Sequence, residues 1–259
     1  MFTSTTGFAL GTSLIAVLLF VGMLAALWLG KRIARIRAKQ GAEPQASSGA
    51  IGGATFALLG LLIAFTFSGA ASRFDARRDL VVQETNAIGT AYLRLDVLAP
   101  EARAQLQEKF RRYVDLRAGA FQANTLAQYR ENEARAWAMQ AEIWSDSVKG
   151  AKDVGPPAAQ LLLPSLNDAI DITTTRAAAL ELHPPVAIYL ILVMLALFCA
   201  LLAGLDMTPG QREWLPKVVF SATITLTICL TLDLEHPRMG LIRVTDSDHF
   251  LSDLRASMK

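Results

Sequence analysis

Charged and hydroxyl side chains at the edges of apolar runs are the residues in this chain whose spacing could do chemistry. In GLLIAFTFSGAASRFDARRD, residues 60–79, Thr66, Ala70, Arg73 and Arg77 recur at helical intervals. Repeated around the axis of a cyclic assembly, one arginine becomes a ring, and charged rings at a pore mouth concentrate counter-ions. Basic side chains at a membrane interface, paired locally with Asp75, account for the same line without a pore. Further on, Thr223, Thr227, Thr231 and Glu235 stand four residues apart, so hydroxyls run down one helix face to a carboxylate. Acidic groups close to hydrocarbon are costly and usually face a bundle interior or a water-filled cavity, which makes Asp233 and Glu235 candidate intramembrane site residues. Threonine hydrogen bonding inside a bundle, with a carboxylate at headgroup level, explains that line as well.

Little else points to catalysis. His183, His236 and His249 have no metal-ligand spacing to one another or to a cysteine. The stretch DSDH, Asp246–His249, could bind a metal ion but reads as exposed tail. Cys199 and Cys229 fall inside apolar runs and read as small buried side chains. No nucleophile motif or glycine-rich phosphate loop occurs, so neither an enzyme nor a cofactor is expected. An intramembrane enzyme using Asp233, Glu235 and His236 is the remaining catalytic alternative.

The elements that must position these side chains are membrane helices. Hydrophobic residues make up 53% of the 259, and they are clustered rather than spread. Residues 8–30, 44–72 and 184–205 carry no charge, and each supplies the roughly 20 apolar residues that cross about 30 Å of hydrocarbon. The second span is placed at 49–72 and the third at 184–205. Residues 218–232 are uncharged for only 15 positions, or about 22 Å of helix. The fourth span therefore extends over 215–235, taking in Asp233 or Glu235, or relies on a snorkelling Lys217.

The cluster KRIARIRAK, Lys31–Lys39, opens a basic linker over 31–48 and, by the positive-inside tendency, is expected on the cytoplasmic side. That orientation puts the region 73–183 and the tail 236–259 outside. The region 73–183 shows no strand signal. The second span is expected to continue as one helix to about 98, with Val81, Ile88, Ala91, Leu95 and Leu98 at helical spacing. Three further helices are expected: one from Pro100, one from about Thr125 to Val148 with Gly150 as its stop, and one from about Pro157 to Leu182. The net charge of +2 is mild and its basic residues are interleaved with acids, so no nucleic-acid partner is expected.

In the second span Gly49, Gly53, Ala57, Gly60, Ala64, Ser68 and Ala71 form one stripe of small residues. Such stripes let helices approach closely in lipid, within a subunit or between subunits. The expected architecture is thus an all-α, four-span protein of the cell (inner) membrane, with lipid as its surroundings and further copies of itself as partners.

The order of these features is familiar: one span, a basic linker, GATFALLGLLIAFTFSGAASRFDARRDLVVQETNAIGTAYLRL, a helical middle, a two-span hairpin and LDLEHPRMGLIRV. It resembles the bestrophin-like family of bacterial four-span membrane proteins, distantly related to the bestrophin anion channels. Its most specific parts are Arg73-Phe74-Asp75-Ala76-Arg77 and Asp233-Leu234-x-x-Pro237-x-x-Gly240, with Glu235 and His236 standing where the family more often has Asp and Arg. The resemblance implies a pentameric assembly whose second span lines an axial path for small ions. It makes Phe65 and Phe67 candidates for an aromatic constriction and Thr66 for a polar pore site. Because Phe65 and Phe67 lie on different faces, at most one of them can meet a common axis. The expected function is an ion pathway, anion-preferring if Arg73 and Arg77 face that axis. The alternative is a non-conducting sensor or scaffold whose soluble helices bind a partner.

Overall fold

The computed structural model describes residues 5–40, 49–121, 123, 125–207, 214–236 and 249–258, and among these there are helices and no strand. Among the described residues eight α-helices follow in order: α1 Thr5–Lys39, α2 Gly49–Leu93, α3 Pro100–Phe121, α4 Leu126–Val154, α5 Pro156–Glu181, α6 Val186–Leu205, α7 Trp214–Glu235 and α8 His249–Ser257. Four of the described helical stretches are long and apolar enough to cross a membrane. They contain α1, α2, α6 and α7.

The chain divides into two compact units, Thr6–Arg73 with His183–Ile242, and Phe74–Leu182 with Arg243–Lys259. The first holds the spans. Its core is built from Leu19, Met23 and Leu27 of α1, Leu59 of α2, Leu192, Ala196, Cys199 and Ala200 of α6, and Ile228 of α7. Two glycines set the closeness of α1 and α6. A Cβ on Gly30 would lie 2.2 Å from the Leu201 carbonyl oxygen, and one on Gly204 would lie 2.3 Å from that of Leu27. The obstacle in both cases is backbone, so only glycine allows this crossing. Phe56 meets Phe220 edge to face with centroids 6.2 Å apart, which joins α2 to α7.

The cluster Lys31–Lys39 is not part of a linker: it forms the last turns of α1. Cations there complement the helix C-terminus, which is why the helix outlasts its apolar stretch. Arg32 also sits over the Trp28 ring at 5.3 Å, an arrangement suited to a membrane interface.

The second unit is helical and water-facing in composition. Here α2 tightens into a 3-10 turn at Arg94–Val97 before Pro100 starts α3. Thr125 caps α4 by accepting from the Gln128 N–H at 3.2 Å. Gly150 does not end this helix. It lies inside α4, where a Cβ would meet that of Ala102 at 3.3 Å, and the stop falls at Gly155, whose φ of 116° favours glycine. The tail also differs from expectation: α8 packs into the core of this unit, with Leu251 and Met258 buried beside Ile88, Leu106 and Phe110. Arg255 fastens it to Asp115 of α3 at 2.9 Å.

Candidate functional site

Helix α2 carries two lines of residues that repeat every seventh position. One consists of Ile51, Leu58, Phe65, Ser72, Asp79, Asn86 and Leu93, and every member is exposed in the single chain. The other, Ala70, Arg77, Glu84 and Ala91, is buried throughout. A seven-residue spacing drifts only about 20° per repeat around an α-helix, so each line holds one face for many turns. Arg77 thus belongs to the enclosed line, at 4% exposure. Its guanidinium donates to the carbonyls of Ala179 at 3.0 Å and Leu182 at 3.2 Å. Those carbonyls end α5, where intrahelical donors run out.

Arg73 stands at the border between the two lines and turns to the end of α7. Its Nε donates to Glu235 Oε1 at 2.8 Å, and its Nη2 donates to the same oxygen. Glu235 is 1% exposed and Asp233 6%, so both predicted acids lie inside their own chain. The next residue, His236, places Nδ1 3.0 Å from the Leu232 carbonyl. Its ring meets that of His183 edge to face, centroids 5.1 Å apart. The ends of α2's apolar part, α6 and α7 are therefore tied at one level by an ion pair and a ring contact. Pro237 and Gly240 of the Asp233-Leu234-x-x-Pro237-x-x-Gly240 motif lie outside the described residues.

The threonine line resolves into self-satisfied hydroxyls. Thr227 donates to the Thr223 carbonyl and Thr231 to that of Thr227, each at 2.8 Å. Thr66 does the same to Leu62 at 2.8 Å. These are the four-back bonds by which hydroxyls settle in apolar helices. Phe65 points outward at 65% exposure, whereas Phe67 reaches 37%. Of the two aromatics, Phe65 is the one on the continuous open line.

The sequence reading missed a buried polar centre in the water-facing unit. Glu84 of α2 accepts from Arg117 Nε of α3 at 2.7 Å and from Arg176 Nη1 of α5 at 2.5 Å. Arg117 Nη1 also donates to Glu133 of α4. Burial works against the Arg117 cation, but the Glu84 carboxylate more than reverses this and holds the guanidinium above its ordinary range. Nearby, Gln140 donates to Tyr113 Oη at 2.8 Å and to Thr173 at 3.0 Å. Burial pushes the Tyr113 phenol up, and the ring sits at 3% exposure. One signal was available: Glu84 is a lone acid on an apolar line running from Val81 through Ile88, Ala91 and Leu95. Among the described residues no group of three or more His, Cys, Asp or Glu could hold a metal ion. His249 begins α8, while Asp246, Ser247 and Asp248 lie outside the described residues.

A family model for the Bestrophin-like domain matches residues 17–248. The chain belongs to the Bestrophin-like family. No curated protein sequence matches it. The fold of this Bestrophin-like chain is similar to crystal structures of a bacterial bestrophin homologue from Klebsiella pneumoniae, determined as single-substitution variants. One is 19% identical with a TM-score of 0.66, covering 91% of this chain and 97% of that one. Another is 16% identical with a TM-score of 0.69, covering 95% and 98%. At such identity the likeness concerns the fold alone.

Proposed function

We propose that this Bestrophin-like protein assembles as a homo-oligomer, a pentamer by family analogy, whose α2 helices surround an ion pathway across the cell membrane. The observation that carries this reading is the open seven-residue line from Ile51 to Leu93, exposed while the line on α2's other side is enclosed. A seven-residue repeat sustained along a helix is the pattern by which helices associate side by side. On another face of α2, Gly53 and Gly60 have nothing within 4 Å of where a Cβ would stand. That leaves room for the close approach of a second copy.

In this arrangement Phe65 narrows the membrane part of the path and Asp79 forms a ring beyond it. Asp75 and Arg78 flank that ring as a loose pair at 3.9 Å. An anion preference would need Arg73 and Arg77 on the axis. The partnering of Arg73 by Glu235 and the enclosure of Arg77 instead favour Asp79 as the charge nearest the ions, and hence cations. Purified protein in liposomes, assayed separately for potassium and chloride flux, tests both points. Potassium flux reduced by Asp79→Asn supports the reading. Chloride flux altered by Arg73→Ala but not by Asp79→Asn returns the preference to anions, and no flux of any small ion from a monomeric or dimeric preparation ends the pathway reading.

A sensor or scaffold is the second reading. Its support is on α4, where Trp137 and Trp144 stand seven residues apart at 52% and 37% exposure. Aromatics in such a position suit a protein partner.

A further inference from the structure

We propose that one face of α1, running from Trp28 through Arg32 and Arg35 to Lys39, is a binding strip for the headgroup of an anionic phospholipid. The strip belongs to α1 alone and needs no ion pathway. At about 100° per residue, Arg32, Arg35 and Lys39 fall within about 40° of Trp28 around the helix axis. Val17 and Val21, both exposed, carry the same strip back into the apolar part of the span. Because α1 stays helical to Lys39, the register holds beyond the apolar run instead of dissolving into a loop. Its neighbour does not follow: α6 crosses α1 at Gly30 and Gly204 and ends at Leu205. Past Gly30, α1 continues for about 14 Å.

The charge on this end has no internal answer. Arg32, Arg35, Arg37 and Lys39 are all exposed, and the first acid of the chain is Glu43, so α1 holds no carboxylate. Trp28 is 60% exposed, with the Arg32 guanidinium over its ring at 5.3 Å. Tryptophan settles where hydrocarbon meets headgroups. From that level Arg32 stands about 6 Å and Arg35 about 10 Å further along the helix, against a headgroup layer about 5–8 Å thick. Arginine can lean back along its apolar stem, so both guanidiniums reach the phosphates, and each planar fork can donate to two oxygens of one phosphate. Lys39, about 16 Å out, stands beyond the layer and acts across a screening length of about 8 Å.

A zwitterionic headgroup brings its own cation to the same place and gains little from this strip. A headgroup of net negative charge is drawn by every cation on it. Arg37 provides the internal contrast, since it is as exposed as its neighbours but sits about half a turn away from Trp28.

Native mass spectrometry of the full-length protein in detergent, titrated with phosphatidylglycerol or with phosphatidylcholine of the same acyl chains, tests the strip. Phosphatidylglycerol is expected to half-saturate at about tenfold lower concentration. Arg32→Gln and Arg35→Gln are each expected to weaken phosphatidylglycerol about fivefold and to leave phosphatidylcholine unchanged. Arg37→Gln is expected to shift either lipid by about twofold or less. Equal binding of the two lipids overturns the proposal. A loss in Arg37→Gln as large as that in Arg35→Gln also overturns it, because the attraction would then be indifferent to the helix face. Displacement of phosphatidylglycerol by soluble glycerol phosphate would make the strip a site for a free phosphate and not for a lipid. Should Arg35→Gln lose both lipids, Arg35→Lys decides: a kept preference for phosphatidylglycerol supports the strip and a lost one overturns it.

Discussion

Arg73 of α2 embraces Glu235 of α7 from Nε and Nη2, with Nε 2.8 Å from Oε1. The pair is lopsided: the Glu235 side chain is 1% exposed and that of Arg73 38%. Removing either partner should therefore have unequal effects. Arg73→Ala removes the guanidinium that faces an enclosed carboxylate and is expected to cost about 2–3 kcal/mol, below the range for fully buried pairs because Arg73 is part-solvated. Glu235→Gln leaves an arginine that can turn to water and should cost about 1 kcal/mol or less. Thermal unfolding in detergent gives both values, and equal losses would contradict the asymmetry.

Glu84 faces two enclosed guanidiniums. Glu84→Ala deprives both of their shared carboxylate and is expected to destabilise by about 3–5 kcal/mol. Replacing Glu84 and Arg176 together by Leu removes the charge with its partner, leaves Arg117 on Glu133, and should be milder than the single change. Unfolding of the single and double variants, monitored by circular dichroism, compares them directly. A double variant as unstable as the single one would show that the cluster's shape, and not its charge balance, matters.

The glycines of the spans divide into two kinds. Gly30→Ala and Gly204→Ala each drive a methyl into backbone, at 2.2 and 2.3 Å respectively. Each is expected to lower stability by about 1–3 kcal/mol or more by forcing α1 from α6. Gly60→Ala meets nothing within 4 Å and should leave the unfolding temperature unchanged or slightly raised. Gly60→Leu should instead change the oligomeric state seen by light scattering if the small-residue stripe of α2 is a face on which a second copy packs.

Lys109 donates to Glu142 at 2.8 Å and to Asp146 at 2.9 Å, joining α3 to α4. The hydrogen bond from Lys109 holds the Asp146 carboxyl below its ordinary value. A depressed value contributes stability that is fully present above the ordinary aspartate range and fades as pH falls through the folded-state value. Both groups are partly exposed to solvent, so screening keeps the contribution to about 0.5 kcal/mol or less. Lys109→Ala should accordingly lose stability near neutrality, and the gap from wild type should close on acidification. A gap that widens on acidification would show that the sign is wrong.

The four-span, all-α architecture was legible because uncharged runs of membrane length are hard to place otherwise. What periodicity could not supply was the partner of each charged side chain. Arg73 and Glu235 were both singled out, yet they stand 162 residues apart, and no local pattern joins them. Arg77 shares a helical spacing with Arg73 but has a different fate, since α5 closes over the buried line while Arg73 stays at its edge. Glu84 was readable in principle as an acid in an apolar register. Similarly, Leu251, Leu254 and Met258 recur at helical spacing, a pattern obscured by the charged residues between them. Gly150 misled because a glycine can mark either a helix stop or a close crossing, and only the proximity of Ala102 distinguishes the two.

The seven-residue lines of α2 turn residue number into a guide for substitution. Positions in step with 70, 77, 84 and 91 answer to the chain's own folding, and a polar or bulky newcomer there should be rescued only by a compensating change in another helix. Positions in step with 58, 65, 72, 79 and 86 are indifferent to folding, so libraries restricted to them should vary assembly and permeation on a constant scaffold. A scan of α2 read in sevens would separate the two demands without any structure of the assembled protein.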